Sequence, residues 1–160
     1  MTIETSRRDF LAASGLVIGL SLPLGRAAAA AAGTPGPFQP NAFVRIAADD
    51  TVTVIVKHVE FGQGPSTGLT TILADELDAD WAQMRMEFSP ANDALYKNLF
   101  FGTMGTGGST AMANSWMQMR TAGAAARAML VEAAAKRWGV PAADITVSKG
   151  VVSHGAHHRA

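Results

Sequence analysis

The chain has 160 residues, enough for one domain or for a piece of a larger one. Thirteen basic and thirteen acidic side chains cancel, so there is no electrostatic footprint for nucleic acid. Hydrophobic residues make up 48%, which supports a packed core, and the lack of cysteine excludes disulfides and thiolate-held iron–sulfur clusters.

Residues 1–32 read as an export signal. "SRRDFLAASGLVIGLSLPLGRAAAAAAG" opens on Arg7 and Arg8, runs apolar over residues 11–24 and ends in small residues. The arginine pair followed by Phe10 and Leu11 fits the twin-arginine export motif. The apolar run is short for a membrane span, and Pro23 interrupts it. Cleavage is expected within residues 27–32, leaving the protein in the periplasm. The alternative is an uncleaved helix that keeps it membrane-associated. The twin-arginine machinery carries folded proteins, so this signal points to a complex cofactor loaded before export.

"GTPGPFQPN", residues 33–41, holds three prolines and two glycines and reads as a linker. "AFVRIAADDTVTVIVKHVEF" predicts a hairpin. Phe43, Val44 and Ile46 make its first strand, Asp49 and Asp50 its turn, and Val52, Val54 and Val56 its second strand. Ile55 makes that second strand apolar on both faces, which suits the interior of a sheet.

The period then changes from two to 3.6 across Gly62, Gln63 and Gly64. A helix is expected from residues 65–67, with Pro65 in its first turn and Ser66 or Thr67 as its cap. Leu69, Ile72, Leu73 and Leu77 share one face of it. "MRMEFSPA" predicts a strand ending at Pro90. Residues 92–108 read as a loop that closes on "GTMGTGGST". A long helix follows over about 109–138. Its expected apolar stripe is Met112, Trp116, Met119, Ala122, Ala126, Met129, Ala133 and Ala134. Gly139 and Pro141 stop it. "DITVSKGVVSHG" predicts a hairpin around Lys149 and Gly150, and "AHHRA" adds no element. Trp81, Trp116 and Trp138 are expected in cores. The fold class is α+β (mixed α/β), built from β-hairpin and strand–helix–strand units with one long helix.

Two glycine-rich loops therefore each open a helix. A helix start leaves N–H groups unpaired at the positive end of its dipole, and glycine lets a ligand reach them. Gln63 adds an amide that both donates and accepts, suited to the edge of a heterocycle. The competing reading is that both loops are plain connections. Neither fits a nucleotide fingerprint: "GQGPST" lacks a third glycine, and no lysine follows as in a P-loop. His154, His157 and His158 read as an exposed tail in preference to metal ligands. His58 faces either the site or a sheet surface. Asp75 and Glu76 read as solvated helix residues.

Three stretches, "VKHVEFGQGPSTGLTTILADELDADW", "GTGGSTAMANSWMQMRTAGAAARAML" and "WGVPAADITVSKGVVSHG", together resemble the molybdopterin-binding subunits of the xanthine dehydrogenase/aldehyde oxidase superfamily. Within it, isoquinoline 1-oxidoreductase β-subunits and exported aldehyde dehydrogenases look most similar. The resemblance implies a molybdenum–pterin cofactor, in its cytosine dinucleotide form. It assigns Gly62, Gln63 and Gly64 in the first loop to cofactor binding, and Gly107, Gly108, Ser109 and Thr110 in the second. It further implies hydroxylation of an N-heterocycle or an aldehyde with water as oxygen source, and electron transfer to a small iron–sulfur subunit. The family's base glutamate lies far beyond these motifs, so the resemblance places no catalytic residue here. Residues 42–160 are then expected to be the N-terminal part of a longer cofactor-binding domain, truncated and too incomplete to hold the cofactor tightly alone. The alternatives are a non-catalytic exported anion-binding module and an inactive fragment.

Overall fold

The computed structural model describes residues 38–155 and 157–159, with side chains over 41–155. The stretch expected to be an export signal, residues 1–32, lies outside the described residues. The α+β expectation holds: two small sheets are arranged along one long helix.

The larger sheet has the order β1 (Phe38–Asn41), β2 (Val44–Ile46), β3 (Val52–Val56), β4 (Met84–Phe88). The expected hairpin is β2–β3, antiparallel with Val44 opposite Val54. β3 and β4 run parallel, with Val54 opposite Met86, because helix α1 (Pro65–Leu77) makes the crossover between them. β3 sits inside the sheet and all five of its residues are buried, as its two apolar faces require. One of these faces packs on helices. Arg45 stands opposite Thr53 and Glu87 opposite Ile55 on the other face, so the 2.5 Å Arg45–Glu87 ion pair crosses over β3. Both partners are solvent-accessible, so the pair itself adds at most about 1 kcal/mol. Its packing contribution is the cover that the long stems provide.

Strand β1 departs from expectation, because residues 38–41 were assigned to the linker. Two facts admit it. It is an edge strand, where Pro40 costs no ladder bond, and Asn41 is tied down on both sides. Its Nδ2 donates to the Ala122 carbonyl at 3.1 Å, and its Oδ1 accepts from Phe43 N at 2.9 Å.

Helix α1 buries Leu69, Leu73 and Leu77 against Val44, Ile46, Val52, Val54, Val56 and Met84 of the sheet. Ile72 packs at the margin of this cluster. The 28-residue helix α3 (Ala111–Trp138) completes the core with Met119, Ala122 and Ala126. A short helix, α2 (Asp93–Tyr96), interrupts what was expected to be a structureless loop. Where α1 meets α3 the two backbones touch. A Cβ on Gly123 would lie 2.6 Å from the Leu73 carbonyl oxygen.

The stripe expected on α3 is partly wrong. Met119, Ala122, Ala126 and Ala134 are buried, but Trp116 is 47% exposed and Met112 is also exposed. The buried line runs through Ser115, Met119, Ala122 and Ala126, and Trp116 stands one residue, about 100° of helix, away from it. Arg120 covers its ring from 5.9 Å. Trp81 is exposed too, and of the three tryptophans only Trp138 packs in a core.

That second core joins Ala134 and Ala135 of α3 to Ile145 and Val152. Strands β5 (Thr146–Ser148) and β6 (Val151–His154) form the expected hairpin. The final segment, expected to add no element, supplies a third strand, β7 (His157–Arg159), paired with β6. Gly139, in the left-handed region at φ 67°, ends α3 as the sequence requires. Asp78 plays the same part at the end of α1 with φ 57°, and reaches further. Its carbonyl and carboxylate accept from Gly150 N at 2.5 Å and Lys149 N at 3.1 Å, pinning the far hairpin to α1. Among the described residues, no helix is long and apolar enough to cross a membrane.

Candidate functional site

Strand β3 ends at Val56 and delivers Lys57 and His58, both buried, to the base of the first glycine corner. His58 faces inward, toward the second loop. Its Nε2 is 3.1 Å from Ser115 Oγ on α3, and its Nδ1 is 3.4 Å from Thr106 Oγ1. The same Thr106 hydroxyl accepts from Val59 N at 3.0 Å. One threonine thus joins the strand end that precedes the first corner to the loop that forms the second.

In the first corner Gly62 and Gly64 have φ of 104° and 89°, a region open to glycine at little cost. Space is open where their Cβ atoms would stand. The expected caps are absent. Helix α1 begins at Pro65, so Gly64 is its N-cap residue and Ser66 falls inside the first turn. Glu60 caps in their place. Its carboxylate accepts from Gly62 N at 2.7 Å, Gly64 N at 3.0 Å and Ser66 N at 3.2 Å. These donors, the Gly64 N–H foremost, hold the Glu60 carboxyl below the usual glutamate range. Gln63 braces the same turn. Its Nε2 donates to the Val59 carbonyl at 2.6 Å, and its Oε1 accepts from Phe61 N at 2.7 Å. One amide hydrogen and one acceptor position on Gln63 remain for other partners.

The second corner is built around Asn98, which is fully buried. Its Nδ2 donates to the Gly105 carbonyl at 3.2 Å and to Thr110 Oγ1 at 2.9 Å. Its Oδ1 accepts from Phe100 N at 2.9 Å and from Asn114 Nδ2 at 3.1 Å. Thr110 Oγ1 donates to the Gly107 carbonyl at 2.8 Å, so Thr110 braces the loop from inside. Gly108 and Ser109 both take left-handed backbone, with φ of 57° and 55°. Serine there costs on the order of 1 kcal/mol, which the surrounding bonds must offset. Ser109 is exposed on the outer side, as are Gly62, Gln63, Gly64 and Gly108. A methyl group on Gly105 would lie 3.4 Å from the Phe101 ring, which lies over this loop.

Glu60, Asn98, Thr106, Asn114 and Ser115 were not singled out from the sequence. Glu60 carried a usable signal: a carboxylate two residues before a glycine turn that opens a helix. Asn98 has one local bond, accepting from Phe100 N two residues on, but its other bonds, and those of Thr106 and Ser115 to His58, span seven to 57 residues and leave no local pattern.

Lys57 is the buried cation of the region. Its Nζ donates to the Lys97 carbonyl at 3.1 Å and to Gln118 Oε1 at 2.5 Å, and burial pushes its pKa from 10.5 down to about 8. Burial, then the Lys57 charge, also lowers the pKa of His58, against interactions with the Gly105 backbone and the Asn114 side chain that raise it. Between pH 8 and 10.5 the unfolded chain retains a Lys57 proton that the folded chain has released, so folding stability rises with pH across that window. The rise is at most about 3 kcal/mol. Urea titrations at pH 8 and above should show it in the native chain and not in Lys57→Met. Equal slopes in both would refute the depressed pKa.

The family of molybdopterin cofactor-binding domains matches residues 5–160. The chain belongs to that family. It is 40% identical over 160 residues to the isoquinoline 1-oxidoreductase subunit beta of Brevundimonas diminuta, covering 96% of this chain and 20% of the relative. It is 36% identical over 120 residues to a membrane-bound aldehyde dehydrogenase (pyrroloquinoline-quinone) of Gluconacetobacter polyoxogenes, covering 75% of this chain and 15% of that one. The molybdopterin-binding chain therefore spans about a fifth, or less, of these relatives.

The first corner has features that a pterin cofactor would need. Gly62 and Gly64 leave the backbone bare and approachable, and Gln63 retains one donor and one acceptor beside them. Among the described residues no group of histidine and carboxylate side chains could hold a metal ion.

Proposed function

We propose that this chain is the part of an exported molybdenum hydroxylase's large subunit that grips the pterin of the cofactor between two glycine corners. The observation that carries this reading is the Thr106 junction, which brings the two corners together at the end of one central strand. Gln63 reads the pterin edge. Gly62 and Gly64 admit it, and Gly107, Gly108, Ser109 and Thr110 form the opposite wall. The bound molybdenum–pterin group, in its cytosine dinucleotide form, supplies hydroxylation of an N-heterocycle or an aldehyde with water as oxygen source. This chain's residues bind and orient that group. Electrons pass to a small iron–sulfur subunit, a division that suits a chain without cysteine. The twin arginines Arg7 and Arg8 take the loaded protein to the periplasm by the folded-protein route.

Cofactor analysis of the intact subunit tests the reading. Molybdenum and pterin in equal amounts are expected. A quinone without pterin, as the name of the aldehyde dehydrogenase relative suggests, would overturn it, and so would an empty subunit, the outcome expected of a non-catalytic module. Gln63→Ala should lower pterin occupancy or turnover by about tenfold, the usual effect of losing a group that orients a cofactor. Unchanged occupancy together with unchanged rate would remove Gln63 from the site.

A further inference from the structure

The end of helix α1 looks, by position, like a receptor for the cofactor's anionic groups, yet the structure has already filled it. Glu60 turns back over the corner, and its carboxylate takes the N–H groups of Gly62, Gly64 and Ser66. These are the donors that an incoming phosphate would need. No side chain of the helix's own first turn competes for them. The same turn fixes Gln63, whose amide is tied to Val59 and Phe61 on either side of Glu60.

We propose that Glu60 is a positioning residue of the first corner: it closes the α1 N-terminus to outside anions and sets the loop shape that presents Gln63 to the cofactor. The second half rests on the pterin-binding reading above, whereas the first half stands on the hydrogen bonds alone. An internal carboxylate suits this task better than an uncapped helix end. It neutralises the positive end of the dipole, and it holds two left-handed glycines in one conformation whether or not a ligand is present. The neutral, uncharged face of the pterin then meets the corner, and the cofactor's phosphate lies elsewhere.

Two measurements test the two halves. In the 15N-labelled full chain, inorganic phosphate should leave the amide resonances of Gly62, Gly64 and Ser66 unmoved. In Glu60→Ala the same three should shift with saturation, because the vacated donors accept the ion. Phosphate shifts of equal size in both proteins, or in neither, would overturn the closure. In the intact subunit, pterin retained after gel filtration should fall about tenfold in Glu60→Ala. Glu60→Gln, which keeps one acceptor oxygen for Gly62 and Gly64, should retain an intermediate amount. Wild-type retention in both variants would overturn the positioning role. A wild-type subunit without pterin would sink the functional reading and the positioning role with it, and the phosphate experiment would still decide the closure.

Discussion

Asn98→Leu is expected to destabilise the fold by about 3 kcal/mol or more and to release the second glycine corner. The side chain is fully buried and makes four hydrogen bonds, two as donor and two as acceptor. Leucine keeps the same γ-branched skeleton, so no cavity is left and the loss is chiefly one of hydrogen bonds. It strands the Phe100 N–H and the Gly105 carbonyl, each costing about 1–3 kcal/mol where water cannot replace the partner. Thr110 and Asn114 keep other bonds, to the Gly107 and Thr110 carbonyls, so the damage should centre on residues 98–107. Urea denaturation measures the free energy, and hydrogen exchange at the Phe101 and Gly102 amides, which donate to the Asn98 carbonyl, reads the local release. A loss under about 1 kcal/mol would mean that water enters and repairs the hub.

The second large effect belongs to the helix crossing. Gly123→Val should cost about 3 kcal/mol or more, lowering the melting temperature by roughly 10 °C. A Cβ there would stand 2.6 Å from the Leu73 carbonyl oxygen, 2.9 Å from Glu76 Cβ and 3.3 Å from Leu77 N. Two of these are backbone atoms and the third is attached to it, so none can swing aside. The helices must part, and parting them opens the core that Leu73, Met119, Ala122 and Ala126 share with the sheet. The neighbouring Ala124 is exposed, and Ala124→Val should cost only about half a kcal/mol, the helix propensity difference. Similar melting temperatures for the two variants would show that α1 and α3 separate freely.

The regular elements were legible because each follows a local rule. Alternation marked β2 and β3, the leucine spacing marked α1, and Gly139 with Pro141 marked the end of α3. The misses have physical reasons of equal clarity. Pro35, Pro37 and Pro40 hid β1, since proline argues against a strand unless the strand lies at an edge, and edges are not visible in one sequence. Trp116 fell off its stripe because Ser115, one position earlier, turns inward to meet His58. Size alone had favoured the tryptophan. Ser66 lost the capping role to Glu60 because the helix starts at Pro65, which leaves Ser66 inside the first turn.

The candidate site was half legible. The glycines of both corners stand out by composition, and Gly62, Gly64 and Gly108 use the left-handed freedom that glycine allows. The scaffold behind them does not, because Asn98 and Thr106 bond residues far along the chain through side chains that any loop contains. The resemblance to a cofactor-binding family named the corners and passed over their supports, which became visible only when distances were known.

Helix α3 is a proline-free rod with the second glycine corner at one end and the small sheet at the other. From its contact at Gly123 to Thr110 is thirteen residues, about 20 Å of helix. Such a rod behaves as a lever: a tilt of about 5° at the crossing would carry the Thr110 end through nearly 2 Å, more than a hydrogen bond tolerates. Close packing at Gly123 therefore helps to fix where the Thr110 end of the rod lies.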